Sequence, residues 1–184
     1  MRVVAGAAKG RPLQAPPGEG TRPTADRVKE AWFSSLQPHL PGAHVLDLFA
    51  GSGQLGLEAR SRGASRVTFV ERDRRALRAL RANVATVGLD GTTVIAGEVL
   101  PTLRGELADA PFDVVLADPP YRVADGELEA VLAATVPHLA PAVVVTVERA
   151  RRSGSVPWPA ELGDADTRRY GDTVLHRATR SDPA

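Results

Sequence analysis

Val45-Leu46-Asp47-Leu48-Phe49-Ala50-Gly51-Ser52-Gly53-Gln54-Leu55-Gly56 is the stretch that decides the fold. It reads as a short apolar strand with an acidic residue at its end, then a glycine loop, then a helix over 54–62. Glycines are needed where a backbone turns tightly and lies against a ligand with no Cβ in the way. Gly51, Gly53 and Gly56 spell G-x-G-x-x-G, a pattern shared with dinucleotide sites. Asp47, however, stands before the glycines, where a carboxylate meets an α-ammonium and repels a pyrophosphate.

Outward from this loop, strands and helices alternate. Strands are expected at 44–48, 66–70, 92–96, 112–117, 142–148 and 173–178, with helices near 54–62, 73–87, 99–108 and 125–139. That spacing predicts an α/β, doubly wound, mostly parallel sheet, with the apolar run Ala142 to Val147 in its buried middle. Upstream lie a short hairpin around Arg2 to Ala15 and a Pro/Gly loop from Pro16 to Pro23. A helix follows from Thr24, its cap, to Leu36, with Trp32, Phe33 and Leu36 on one face. Downstream, Arg151 to Asp166 is polar and Pro/Gly-rich and reads as a loop. Tyr170-Gly171-Asp172 then turns into a final strand, antiparallel at the sheet's edge, and Arg180 to Ala184 fray. The 184 residues are expected to form one compact unit, an N-terminal hairpin and helix extension (1–40) on a main domain (41–184).

In open parallel sheets, ligands bind at the strands' carboxyl ends where the strand order reverses. Asp47, Glu71, Glu98 and Asp118 all stand at such ends. Glu71 is placed to accept both hydroxyls of an adenosine ribose, which fits NAD and S-adenosylmethionine equally well. Gly97-Glu98 offers a side chain or backbone N–H to an adenine edge, or caps the helix that follows. Asp118-Pro119-Pro120-Tyr121 is stiff, because each proline locks φ and removes an N–H. Its carbonyls are expected to face outward unpaired. The Asp118 carboxylate and the Pro119 carbonyl can each accept one N–H of an exocyclic amino group, while Tyr121 offers a stacking face. That combination suits amino-group methylation of a nucleobase.

With these motifs assembled, the chain resembles the class I S-adenosylmethionine-dependent methyltransferases, and within them the bacterial 16S ribosomal RNA guanine-N2 methyltransferase family, RsmD. Besides the glycine loop and Asp118 to Tyr121, the resemblance rests on Arg2-Val3-Val4-Ala5-Gly6, on Gly10-Arg11-Pro12-Leu13 and on Thr21-Arg22-Pro23-Thr24-Ala25-Asp26-Arg27-Val28-Lys29-Glu30. It implies a Rossmann-like, seven-stranded sheet with an antiparallel edge strand. It also implies a cofactor site of Asp47, Phe49, Gly51, Ser52, Gly53, Glu71, Arg72, Gly97, Glu98 and Asp118, and a catalytic set of Asp118, Pro119, Pro120 and Tyr121. The implied substrate is one guanine of 16S rRNA in an assembled or assembling 30S subunit, with S-adenosylhomocysteine as the second product.

The net charge of +1 is unevenly spread. Residues 1–30 hold six Lys or Arg against three Asp or Glu, whereas residues 31–148 hold ten against fourteen. Phosphate contacts are therefore expected from the N-terminal segment, with Lys9, Arg11, Arg22, Arg27 and Lys29 the candidates. There are no cysteines, which excludes disulfides, thiolate zinc and a cysteine nucleophile. His39, His44, His138 and His176 lack metal-ligand spacing, and no metal is expected. No apolar run has the length of a signal peptide or a membrane span, so a cytoplasmic monomer without membrane contact is the expectation. Two other functions keep the same residues: amino methylation of DNA adenine-N6 or cytosine-N4, and nucleic-acid binding by a catalytically inactive protein of this fold. Trp158 either meets a base or covers a loop, and Glu148 either orients the site or faces solvent.

Overall fold

The computed structural model describes residues 1–16, 24–120 and 122–180; for residues 24–27, 164 and 165 it describes the backbone. Arg22, Tyr121 and most of the Pro16–Pro23 loop lie outside the described residues, as do residues 181–184 and the side chains of Thr24 and Arg27.

Seven strands form one sheet: β1 His44–Leu48, β2 Arg66–Glu71, β3 Thr92–Ala96, β4 Phe112–Ala117, β5 Leu139–Ala150, β6 Leu162–Tyr170 and β7 Thr173–Arg180. Their order is β3-β2-β1-β4-β5-β7-β6, so the direction of winding reverses between β1 and β4. Strands β1 to β5 pair in parallel, and β7 is antiparallel to both of its neighbours. Among the described residues, α1 Thr24–Leu36 precedes the sheet and four α-helices connect its strands: α2 Gln54–Ser61, α3 Arg74–Val87, α4 Val99–Leu103 and α5 Asp125–Thr135.

Period-two alternation in the strands divides the core into two layers. Val45, Val67, Phe69, Val114 and Leu116 pack on one face against Trp32, Phe33 and Leu36 of α1, Leu57 of α2 and Leu80 of α3. Leu46, Leu48, Val70, Val115 and Ala117 pack on the other against Val99 and Leu103 of α4 and Leu128, Val131 and Leu132 of α5. The Trp32 indole N–H donates to Thr146 Oγ1 at 2.9 Å, which ties α1 to the centre of β5.

Four expectations are corrected here. Residues 162–166 are not loop but the start of β6. The final strand is antiparallel as expected, yet β6 covers its outer side, so β7 is second from the edge. Helix α5 ends at Thr135 rather than 139, because Pro137 has no N–H to donate back into the helix and the chain tightens into a 3₁₀ turn over Val136–His138. Helix α4 stops at Leu103 rather than 108, with Gly105 close behind; its Pro101 is tolerated because it sits in the first turn.

The N-terminal segment meets the same core through Val3, Ala8 and Leu13. The hairpin is short, with one antiparallel bridge, Arg2 to Pro12, flanked by Val3, Gly10 and Leu13 N–H groups that donate to the Arg11, Val3 and Met1 carbonyls. Side chains of the main body fasten it to the core. The Glu58 carboxylate accepts the Val4 and Ala5 N–H groups at 2.7 and 3.1 Å, and Ser61 Oγ accepts that of Ala8 at 2.9 Å. Asn83, fully buried on α3, accepts the Gln14 N–H at 2.7 Å and donates to the carbonyls of Gln14 and Ser52 at 3.0 and 2.9 Å. One amide thus fastens the arm to the glycine loop. Asn83→Leu leaves the buried Ser52 carbonyl and the part-buried Gln14 N–H and carbonyl without this partner, at about 1–3 kcal/mol for a group that water does not relieve. The expected loss is about 2–4 kcal/mol in urea denaturation, with faster exchange of the Gln14 amide proton.

Candidate active site

The site forms at the carboxyl ends of β1, β2, β3 and β4, beside the reversal of strand order. Asp47 is the penultimate residue of β1 and pairs in register with Leu116, so Asp118 follows β4 directly across from the start of the glycine loop. Alternation places both acids on the α1–α3 face of the sheet.

The loop between β1 and α2 is bent by backbone conformations that few residues adopt. Phe49 has φ +59°, a left-handed value that costs a bulky residue on the order of 1–3 kcal/mol, and its ring packs on the α4–α5 layer. Gly53 begins α2 at φ +81°, and a Cβ there would run into the Leu80 side chain. At Gly56 a Cβ would strike the Phe69 ring and come within 2.8 Å of Val67 Cγ1 and 2.9 Å of Asp47 Oδ2. The loop is glycine-rich because the helix is pressed onto the sheet and onto Asp47.

Two carboxylates already hold the loop's N–H groups. Gly56 donates to Asp47 Oδ2 and Gly51 to Glu71 Oε2, each at 2.8 Å. A diphosphate would need those donors and would meet two acids instead. At this G-x-G-x-x-G spacing the two carboxylates suit a cationic group better than a diphosphate. Asp47 is only 1% exposed. Burial, with the nearby Asp118 and Glu71 carboxylates adding to it, raises its pKa to about 8 despite the Gly56 hydrogen bond.

Glu71 also accepts the Arg72 and Asp73 N–H groups on Oε1, both at 2.7 Å. A carboxylate has about four acceptor sites, so a ribose diol can be held in full only if one of these bonds yields. Glu98 does not cap α4 with its side chain, which is 64% exposed and lies 3.5 Å from Arg72 Nη1. Gly97 donates its N–H to the Glu71 carbonyl at 2.9 Å, tying the third strand end to the second.

Asp118 is exposed, Pro119 buried and Pro120 exposed. The expectation of unpaired carbonyls is corrected at Pro120, whose carbonyl accepts the Val123 N–H at 2.9 Å. The Pro119 carbonyl accepts no backbone hydrogen bond among the described residues. Tyr121 lies outside them.

A cleft beside the two prolines is lined by Val123, Glu148, Arg149, Ala150 and Ser153. Arg149 went unnoticed in the sequence because it ends an apolar strand as one more arginine among many. Its side chain is 8% exposed; Nη2 donates to Asp125 Oδ1 at 2.7 Å, while Nη1 is buried with no acceptor among the described residues.

Of the expected phosphate contacts, Lys9 and Arg11 are exposed on the arm. Arg11 Nη1 donates to the Thr86 carbonyl at 2.7 Å, near the end of α3. Lys29 is 7% exposed and engaged within the protein, so burial removes it from the set. His44 and His138 lie within hydrogen-bonding distance of the Asp109 and Leu103 carbonyls, and no group of three metal-ligating side chains occurs among the described residues. Trp158 packs on the α4–α5 layer. No described helix is long and apolar enough to cross a membrane.

This architecture and these motifs have counterparts. The family described as Conserved hypothetical protein 95 matches residues 1–178. The chain is 41% identical over 124 residues to the putative rRNA methyltransferase YlbH of Bacillus subtilis, an alignment covering 66% of this chain and 67% of that protein. It is 42% identical over 123 residues to ribosomal RNA small subunit methyltransferase D of Haemophilus influenzae, covering 66% of this chain and 64% of the relative. Against these relatives the chain thus spans about two thirds of their length. Among solved structures, the putative methyltransferase yhhF of Escherichia coli superposes with a TM-score of 0.85 at 34% identity, covering 98% of this chain and 97% of the other. The chain therefore belongs to the Conserved hypothetical protein 95 family, the RsmD family of the class I S-adenosylmethionine-dependent methyltransferase fold.

Proposed function

We propose that the protein methylates the exocyclic N2 of a guanine in small-subunit ribosomal RNA, within an assembled or assembling particle, using S-adenosylmethionine. The observation that carries this reading is the adjacency of the buried, cation-seeking Asp47 and the Asp118-Pro119 acceptor pair across one crevice. The relatives' names supply the RNA.

The residues fit the cofactor. Asp47 would hold its ammonium, Glu71 its ribose, and Gly97-Glu98 its adenine edge, with Phe49, Ser52 and Arg72 around them. When bound, it supplies a methyl group activated by a sulfonium. The rest is positioning, at near-attack geometry. Asp118 and the Pro119 carbonyl accept the two N–H groups of the guanine amine, whose lone pair is otherwise delocalised into the ring. These bonds strengthen as nitrogen becomes positive, so they favour the transition state over the ground state. The departing proton passes to Asp118 or to water. Tyr121 stacks on a base drawn out of its helix or stack.

Guanine presents an N1–H donor next to N2 and an O6 acceptor beyond it; adenine presents the opposite pattern at N1 and N6. Glu148 and Arg149 stand beside Pro119, where a carboxylate suits the N1–H and a guanidinium the O6 of a guanine.

Tritiated methyl transfer to small-subunit particles, naked 16S rRNA and duplex DNA, followed by nucleoside digestion, tests the function. N2-methylguanosine is expected, and N6-methyladenine or N4-methylcytosine in DNA would overturn it. Asp118→Asn is expected to lower kcat roughly 10²–10³-fold while RNA affinity stays within about threefold. Glu148→Gln is expected to lower kcat/KM roughly tenfold on guanine, and to lose nothing on RNA carrying 2-aminopurine at the target, which keeps the amine but lacks N1–H and O6.

Asp47 makes a pH prediction. Because its pKa is raised to about 8 without ligand, the folded protein holds a proton between about pH 4 and 8 that the unfolded chain has released. Stability of the ligand-free protein therefore falls as pH rises through that window, and Asp47→Asn flattens the slope. An ammonium favours the ionised carboxylate, so cofactor binding releases up to one proton. Between pH 5.5 and 7, below the α-amino range of about 7.7–8.0, affinity should rise with pH, and calorimetry in buffers of different ionisation enthalpy reads the proton directly.

A further inference from the structure

Helix α3 has an apolar face, formed by Ala76, Leu77, Ala79, Leu80 and Val87 around Asn83, that is packed into the core. The opposite face carries arginine. Arg74, Arg75, Arg78 and Arg81 are all exposed, and no acidic residue occurs between Arg74 and Val87. At 3.6 residues per turn, Arg74, Arg78 and Arg81 fall within an arc of about 60° and form a ridge about 10 Å long. None of the four makes an ion pair among the described residues. Asp73, just before the helix, spends its carboxylate on the Arg75 and Ala76 N–H groups at 2.8 and 2.9 Å.

Like charges at i, i+3 and i, i+4 destabilise a helix by a few tenths of a kcal/mol per pair, and a surface tuned only for solubility intersperses glutamate among them. Here, among the described residues, Asp73 at the start of the helix is the acid that acts on the ridge, through Arg78 and the neighbouring Arg75. Both its ends lead to places of consequence. The helix begins three residues after Glu71, at the crevice. Its last turn receives Arg11 of the arm on the Thr86 carbonyl, with Lys9 exposed nearby. A basic strip therefore runs from the crevice edge along α3 to the arm.

We infer that the Arg74–Arg78–Arg81 ridge, continued by Arg11, is a docking surface for the phosphates of the RNA substrate. The inference rests on the RNA reading above. Guanidinium groups engage phosphate oxygens in bidentate pairs, and phosphate contacts fix register without reading bases. The ridge sets affinity and orientation; Asp118-Pro119 does the chemistry.

The test is the triple variant Arg74→Gln, Arg78→Gln, Arg81→Gln, compared with an equal charge loss elsewhere, Arg66→Gln, Arg104→Gln, Arg169→Gln. Binding to naked 16S rRNA is measured from 50 to 300 mM KCl, with methyl transfer and cofactor affinity alongside. The ridge triple is expected to reduce the slope of log K against log salt by about 2–3 and to raise KM for RNA roughly tenfold, with kcat and cofactor Kd unchanged. The control triple is expected to move the slope by less than about 1. Equal slopes for the two triples would reduce the effect to net charge and overturn the inference. So would a ridge triple that binds naked RNA normally but assembled particles weakly, since the partner would then be a ribosomal protein. If the wild type transfers no methyl group to any RNA, the functional reading falls first; if it does and the ridge triple matches it, only the ridge falls.

Discussion

Burying the Asp47 carboxylate at the end of β1 is the constraint on which the rest of the site depends. A carboxylate that is 1% exposed, accepting the Gly56 N–H with two other acids nearby, is unfavourable in its charged form. The fold tolerates it because Gly56 lets the first turn of α2 approach closely enough to donate that N–H. The same close approach forbids a side chain at Gly53 and bends Phe49 into a left-handed conformation. The unfavourable acid, the glycines and the strained residue are thus one arrangement. It is held in place by the apolar layers on both faces of the sheet, which offset what the loop costs.

The second acid at the crevice, Glu71, acts as a clasp. Through Gly51, Arg72 and Asp73 it binds the loop after β1 to the turn after β2, and through its own carbonyl it holds Gly97 after β3. Three strand ends are therefore fixed relative to one another before any ligand arrives. Asn83 extends the clasp to the arm, because the amide that bonds Gln14 also bonds Ser52. Movement of the arm and movement of the glycine loop are mechanically joined. On the proposed reading, the N-terminal segment touches one substrate while the loop holds the other, and this joint couples the two.

Much of this was legible in the sequence, for physical reasons that differ by element. Strands β1 and β4 and helix α1 carry one-sided or fully apolar patterns, and burial on defined faces made their bounds readable, whereas β3, with no buried residue, was readable from its β-branched run Thr92-Thr93-Val94-Ile95. Strand β6 did not announce itself: Leu162-Gly-Asp-Ala-Asp-Thr-Arg-Arg-Tyr170 pairs only with β7, and an edge strand needs no apolar alternation and is safer charged. The four strand-end acids could be placed because the parallel fold sends every strand's carboxyl end to one side. What each acid bonds could not, since the Gly51–Glu71 contact depends on a turn geometry that no spacing encodes. Lys29 looked like a phosphate contact in a basic stretch, yet the helix that presents it turns it inward. The α3 arginines were hidden for the opposite reason. Counting charge along residues 31–148 averages them with acids gathered elsewhere, whereas the helix sorts them onto one face.

That sorting has a consequence for how a polyanion could be handled. The crevice itself is acidic: Glu71, Glu98 and Asp118 stand along the carboxyl end of the sheet, and they oppose the approach of a phosphate backbone. The basic strip of α3 and the arm lies to the side. On the proposed reading, the backbone is attracted where guanidinium groups stand and repelled where the chemistry occurs, so only an uncharged base extruded from the strand can enter between Asp118 and the wall of Glu148 and Arg149. Charge separation over a short distance would then do two things at once. It anchors the RNA, and it requires that the base, not the backbone, reach the methyl group.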